Sequence, residues 1–290
     1  MSTSRSVRRA GAPRRARASP CPAGWAVPTL RWCSAVRPHN GAGIAATAVR
    51  SAPHEVPRIP DDPAGFPRIP LAVQDTLGPE LTRAAEAALA DAGVTRAEAA
   101  PMGCVTASHH ATAVTAQYIA AVLDGAGPRW LAPQCFLHYS PHALTGRLCI
   151  DLGLDGTALT LTGPASGVDA LGYAAMMVES GRCSSVLVAA AHWPTPPPAG
   201  PDRATRLTVA VAVVTPDGDR ARLTGWQPGG GHPAVRPATD PDTAALRTAE
   251  LPDVTAPLRS LMSWHDGPDR AGMQLTAAGS RLTVLPGSRG

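Results

Sequence analysis

A chain of 290 residues is long enough for one large domain or two small ones, and its 44% apolar content is enough for a core. Only 4% is aromatic, so that core must be built from small aliphatic side chains. All 26 basic residues are arginine, and nine of them fall in residues 1–50, which hold no acid; removing those nine charges from the net +4 leaves residues 51–290 at −5. A nucleic-acid role would rest on this tail alone, which has no recognition motif, so no nucleic-acid partner is expected.

The six cysteines are Cys21, Cys33, Cys104, Cys135, Cys149 and Cys183. No two have CxxC spacing, which argues against zinc, and no metal or other cofactor is expected. Their scatter through apolar segments suits reduced core thiols in a cytoplasmic protein. No apolar run reaches the ~18 residues of a membrane span, and no apolar stretch follows the arginines of residues 5–17 to make a secretion signal.

In chain order, residues 1–50 are expected to be largely disordered, with a possible first strand over 30–36. The Pro-rich stretch 51–70 reads as an extended connection. A helix follows, with Pro79 in its first turn and Gly93 at its end. A strand over 102–107 and a helix over about 112–123 come next. Ser140, Pro141 and Gly153 bracket a third helix as N-cap, first residue and terminator. Residues 157–162 alternate as a short strand and lead into the turn 163–167. Val168, Leu171, Ala175 and Val178 then define a helix that is apolar nearly all round, hence buried. Residues 185–191 form an apolar strand suited to a covered sheet, which completes a βαβ unit. Strands over 207–214, 220–226 and 281–285 follow. Between 227 and 257 the pattern dissolves, so 51–226 is read as the domain and 227–290 as a Gly/Pro-rich extension.

The words Ala132-Pro133-Gln134-Cys135-Phe136, Ser140-Pro141-His142-Ala143, Gly153-Leu154-Asp155-Gly156, Thr162-Gly163-Pro164-Ala165-Ser166-Gly167 and Glu179-Ser180-Gly181-Arg182 occur in this order. Together they resemble the N-terminal half of the β-ketoacyl synthases, over roughly residues 75–226. The short chain and Ser140-Pro141-His142 also look like the small ketosynthase-like proteins of aryl-polyene-type systems, which are similar to chain-length factors. The resemblance implies an α/β thiolase-like fold of α/β/α layers, here an N-terminal half with a mixed sheet and a buried central helix.

In that family a cysteine in the turn before the buried helix accepts the acyl group, and its own N–H helps form an oxyanion hole. Pro164 stands at that position, with neither thiol nor N–H. The elbow Gly163, Pro164, Ala165, Ser166 and Gly167 is therefore expected to be non-catalytic. The strand carrying Thr157, Leu159 and Leu161 is expected at the interface with a partner, because the family pairs its elbow strands across a dimer. The implied role is a chain-length-factor-like subunit that pairs with an active ketosynthase and meets acyl carrier protein indirectly. The alternatives are a degenerate acyltransferase or thioester hydrolase with a substitute nucleophile, and an inactive truncated synthase.

Other chemistry-bearing residues have simpler readings. Ser166 is expected to cap backbone N–H groups, and Cys104 and Cys135 to be core thiols. His109 and His110 read as an exposed loop. His138 and His142 have i, i+4 spacing, but Pro141 spoils the helix that metal binding would need. Asp169 and Glu179 are ten residues apart, too far for an acid–base pair. His232 and His265 lack the flanking residues of the family's second-half histidines.

Overall fold

The computed structural model describes residues 41–55, 77–109, 113–125, 127–131, 133–192, 204–229, 247–250, 253–267 and 271–287. The expected strand over 30–36, residues 56–70 of the expected connection 51–70, Cys21, Cys33, His110 and His232 lie outside them, while residues 51–55 are strand. Nine strands form one sheet: β1 (Ala42–Glu55), β2 (Gly103–Ser108), β3 (Ala158–Thr162), β4 (Val186–His192), β5 (Ala204–Thr215), β6 (Ala221–Gln227), β7 (Arg247–Glu250), β8 (Met273–Ala277) and β9 (Ser280–Pro286). The helices are α1 (Leu77–Asp91), α2 (Arg96–Ala99), α3 (Ala113–Gly125), α4 (His142–Leu152), α5 (Ser166–Glu179) and α6 (Ala256–Asp266).

The period of two in the central strands sorts their side chains into two layers. Val186, Val188 and Ala190 of β4 join Ala210, Ala212 and Val214 of β5 in a core shared with α5 and α6. Leu187, Ala189, Leu207, Val209, Val211 and Val213 face the opposite core, shared with α1 and α4. With helices on both faces, a strand is apolar at every position, which is why β4 and β5 read as unbroken apolar runs. This is an α/β/α sandwich with a mixed sheet, in agreement with the fold class expected from sequence.

The strand order is β3-β2-β4-β5-β1-β6-β9-β8-β7. β2 runs parallel to both β3 and β4, so the βαβ unit β3–α5–β4 crosses over β2. β5 is antiparallel to β4 and to β1. Beyond β1 the same pairings recur in mirror order. β9 is antiparallel to β6 and β8, and β8 is parallel to β7. The counterparts are thus β1 and β6, β2 and β7, β4 and β8, β5 and β9, with α5 and α6 each leading into the inner parallel strand. The two halves join through a short antiparallel contact of Ala42–Ile44 with β6.

Two expectations change here. β1 begins at Ala42, inside the region expected to lack structure, and stands mid-sheet. The residues after 227 add three strands to that sheet and a helix against it, forming a reduced second half that, among the described residues, has no counterpart of β3. Their individual patterns are short, and long-range pairing supplies the order that the local pattern lacks.

Candidate functional site

The elbow lies between edge strand β3 and the N-terminus of α5. Gly163 takes φ 109°, and the Ser166 N–H donates to the Gly163 carbonyl at 3.2 Å, closing a four-residue turn. Pro164 is the second residue of that turn, where its fixed φ is favoured. It is exposed and precedes the N-cap residue Ala165, so it stands two residues before the first helical position. Gly167 admits no side chain, because a Cβ would overlap the Val254 carbonyl of the segment leading into α6. The elbow is therefore wedged against the reduced second half.

Ser166 does not cap. It is the first helical residue, 2% exposed, and its Oγ has no hydrogen-bond partner among the described residues. The turn satisfies its backbone N–H instead, leaving the hydroxyl inside the packing. Cys104 and Cys135 are buried as expected. A hydrogen bond to Cys149 and then burial push the Cys104 thiol well above the usual thiol range, and burial raises Cys135.

The remaining candidates are dispersed. Asp169 accepts a hydrogen bond from Trp226 Nε1 at 3.2 Å, while Glu179 lines a cavity of about 320 Å³ with Gly172, Met176 and Trp226. His109 is exposed at the end of β2. His142 opens α4, with Ser140 Oγ accepting from its N–H at 3.3 Å, so Ser140 serves the helix start without being its N-cap residue. Among the described residues no cluster of His, Cys, Asp and Glu could hold a metal ion. No helix there is long and apolar enough to cross a membrane.

Sequence reasoning missed a chain of hydroxyls between α4 and the sheet. Thr106 Oγ1 of β2 lies 2.5 Å from Thr145 Oγ1 of α4, which hydrogen-bonds Thr160 Oγ1 of β3, which meets His142 Nδ1 at 2.8 Å. Thr106 and Thr160 are register partners, so the pleat aims both at α4. The signal was present as alternate threonines, but the fold alone aligns them.

β3 ends the sheet, with Leu159 and Leu161 half-buried against the α5 core. The strand proper starts at Ala158, although the Thr157 carbonyl still accepts from the Cys104 N–H at 2.8 Å. Its sequence, ALTLT, contains no charge or proline to blunt the open edge. Of seven exposed large apolar side chains among the described residues, six (Leu123, Trp130, Phe136, Leu137, Tyr139 and Ile150) belong to the segment joining β2 to β3.

Residues 66–207 match the model of the β-ketoacyl synthase N-terminal domain. No curated protein matches the chain. Among solved structures, the chain is similar to a type II polyketide ketosynthase in the AntDE:AntF complex with its acyl carrier protein. That match has 10% identity and a TM-score of 0.57 over 86% of this chain and 99% of that one. It is also similar to the ishigamide ketosynthase/chain length factor, at 14% identity and TM-score 0.55 over 86% and 100%. A third match is the ketosynthase ApeO in complex with its chain length factor ApeC from Xenorhabdus doucetiae, at 12% identity and TM-score 0.52 over 84% and 99%. These likenesses establish a shared thiolase-like fold, and residues 66–207, just under half of the chain, carry the match to the β-ketoacyl synthase N-terminal domain.

Proposed function

We propose that this chain is a non-catalytic, chain-length-factor-like subunit that pairs through β3 with an active β-ketoacyl-acyl carrier protein synthase. The observation that carries the reading is Pro164 in the elbow, exposed at the mouth of α5. Proline has no nucleophilic side-chain atom to hold an acyl group and no N–H to stabilise an oxyanion. Loss of one oxyanion donor alone costs about 10²–10³ in rate. The same proline suits the turn, so the fold tolerates what the chemistry does not.

The substitute-nucleophile reading has little support in the geometry. Ser166 is sealed in the packing, and Cys104 and Cys135 are buried thiols held in their neutral form. Pairing is supported by the unblunted edge of β3 and by the exposed apolar side chains of the segment that leads into it. In this reading the subunit shapes the pocket for the growing acyl chain, and acyl carrier protein is met through the partner.

Co-expression with the ketosynthase encoded nearest to this chain, followed by size exclusion with light scattering, tests the proposal. A 1:1 complex is expected, with condensation dependent on both subunits. Leu137→Asp, at an exposed position, should weaken the complex while leaving the chain folded. A well-behaved monomer that ignores the ketosynthase would overturn the reading.

A further inference from the structure

The cavity of about 320 Å³ noted above lies between α5 and the strands β6 and β9 of the reduced half. Its α5 wall carries Gly172, Met176 and Glu179, whose spacing puts them on one helix face. From Gly172 to Glu179 that face runs about 10 Å along the axis. Leu223 of β6 and Leu282 of β9, both buried, line the sheet side. Trp226 stands at the Gly172 end of the cavity, and Glu179 marks the other end of the α5 wall.

Two local departures from regular structure shape this space. In β6, Thr224 faces Thr283 and Gln227 faces Arg281, so Gly225 and Trp226 stand opposite Leu282 alone. The result is a β-bulge with Gly225 at φ 61°, and it turns the Trp226 indole onto α5. In α5, Gly172 makes the room, because a Cβ there would overlap the ring. Asp169 then fixes the indole by accepting from Nε1 at 3.2 Å. A carboxylate on that N–H polarises the ring and strengthens the attraction of its face for a cation.

Glu179 is half-buried. Among the described residues the acids in ion pairs are Glu80, Asp91, Asp151 and Asp253, and Glu179 is not one of them. The next basic residue along the chain, Arg182, is exposed beyond the end of α5 and does not line the cavity. Among the described residues no arginine or histidine lines it, and Glu179 is its one acid.

We propose that this cavity binds a small amphiphilic amine, with the ammonium on Glu179 and the apolar body along Met176 toward the Trp226 ring. An anion is repelled by the carboxylate and by the ring face. A neutral apolar guest strips water from Glu179 and gives nothing back. A bare metal ion needs several ligands, and the cavity offers one carboxylate. The cavity contains no residue of the elbow or of β3, so this inference and the pairing proposal stand or fall separately.

Calorimetric titration of the purified full chain with n-hexylamine, hexan-1-ol and hexanoate provides the test. The amine should saturate in the millimolar range, the scale for so small a ligand. The alcohol should bind about tenfold more weakly, lacking the charge-assisted hydrogen bond, and hexanoate should not bind. Glu179→Gln keeps the shape and removes the charge, so it should bring the amine down to the affinity of the alcohol. Met176→Arg, at a side chain 40% exposed, sets a resident cation one turn from Glu179 and should abolish amine binding. Circular dichroism shows whether each variant is folded, and if neither is, the amine-to-alcohol ratio of the parent decides. No saturation by the amine, equal affinity for amine and alcohol, or a folded Glu179→Gln chain that binds the amine as the parent does would each overturn the proposal.

Discussion

Gly172 and the Trp226 indole occupy adjoining space so closely that a Cβ on the glycine would overlap the ring. Trp226 is held from three sides: by Gly172 beneath it, by Asp169 accepting from Nε1 at 3.2 Å, and by the tilted ring of Tyr173 with centroids 4.7 Å apart. This is how the buried helix α5 is joined to β6, the first strand of the reduced half. Gly172→Ala should therefore expel the indole and lower stability by about 1–3 kcal/mol, as overpacking does. Chemical denaturation should show the loss, and tryptophan fluorescence should shift toward the exposed form. An unchanged midpoint would mean that the ring has room to move.

The hydroxyl chain gives a second prediction. Thr145→Val keeps the shape at a fully buried position but leaves Thr106, itself 2% exposed, without its partner. The cost should be about 1–3 kcal/mol for an unsatisfied buried hydroxyl. Adding Thr106→Val should recover part of that loss, because two apolar side chains of the same shape need no partner. A urea-denaturation double-mutant cycle measures the coupling, and strict additivity would refute it.

Asp253 organises the start of α6. Its Oδ1 accepts from Thr255 N at 2.8 Å and from Thr255 Oγ1 at 2.6 Å, and its Oδ2 pairs with Arg259 Nη2 at 2.6 Å. Asp253→Ala should cost about 1–2 kcal/mol, in the range of a lost helix-start acceptor. Asp253→Asn should cost less, since one oxygen can still accept. Thermal unfolding followed by circular dichroism would rank the three proteins, and an Ala variant as stable as the parent would contradict the assignment.

Stability near β1 should depend on acid pH through Glu80. A hydrogen bond from Arg50 Nε at 2.9 Å, with the Arg83 charge nearby, holds the Glu80 carboxyl below its ordinary value of 4.5, against an opposing effect of burial. A depressed carboxylate contributes stability above its unfolded value and loses that contribution as pH falls through the folded one. Because Arg50 is largely solvated, Arg50→Gln should cost only about 0.5 kcal/mol near neutrality. The difference from the parent should shrink below pH 4.5 and with added salt. Denaturation midpoints across pH 3–7 provide the check, and a gap that widens in acid would reverse the sign.

The sequence by itself determined the parts whose signal is local. The apolar runs of β4 and β5, the all-round apolar α5, and the stops at Gly93, Gly153 and Gly181, all with positive φ, follow from burial and backbone freedom that each segment carries alone. The elbow, with its proline, was equally visible as a run of consecutive residues. Tertiary structure alone decided the rest. β1 carries five alanines with a glycine, a proline and a glutamate among its 14 residues and has weak strand propensity; it is a strand because β5 lies along its length and β6 meets its start. β7 is four residues long and gains its identity only by lying parallel to β8. Ser166 looked like a cap until the turn from Gly163 satisfied its N–H. The Thr106–Thr145 contact joins residues 39 apart in sequence, and no local pattern encodes which side chains a crossover will bring face to face.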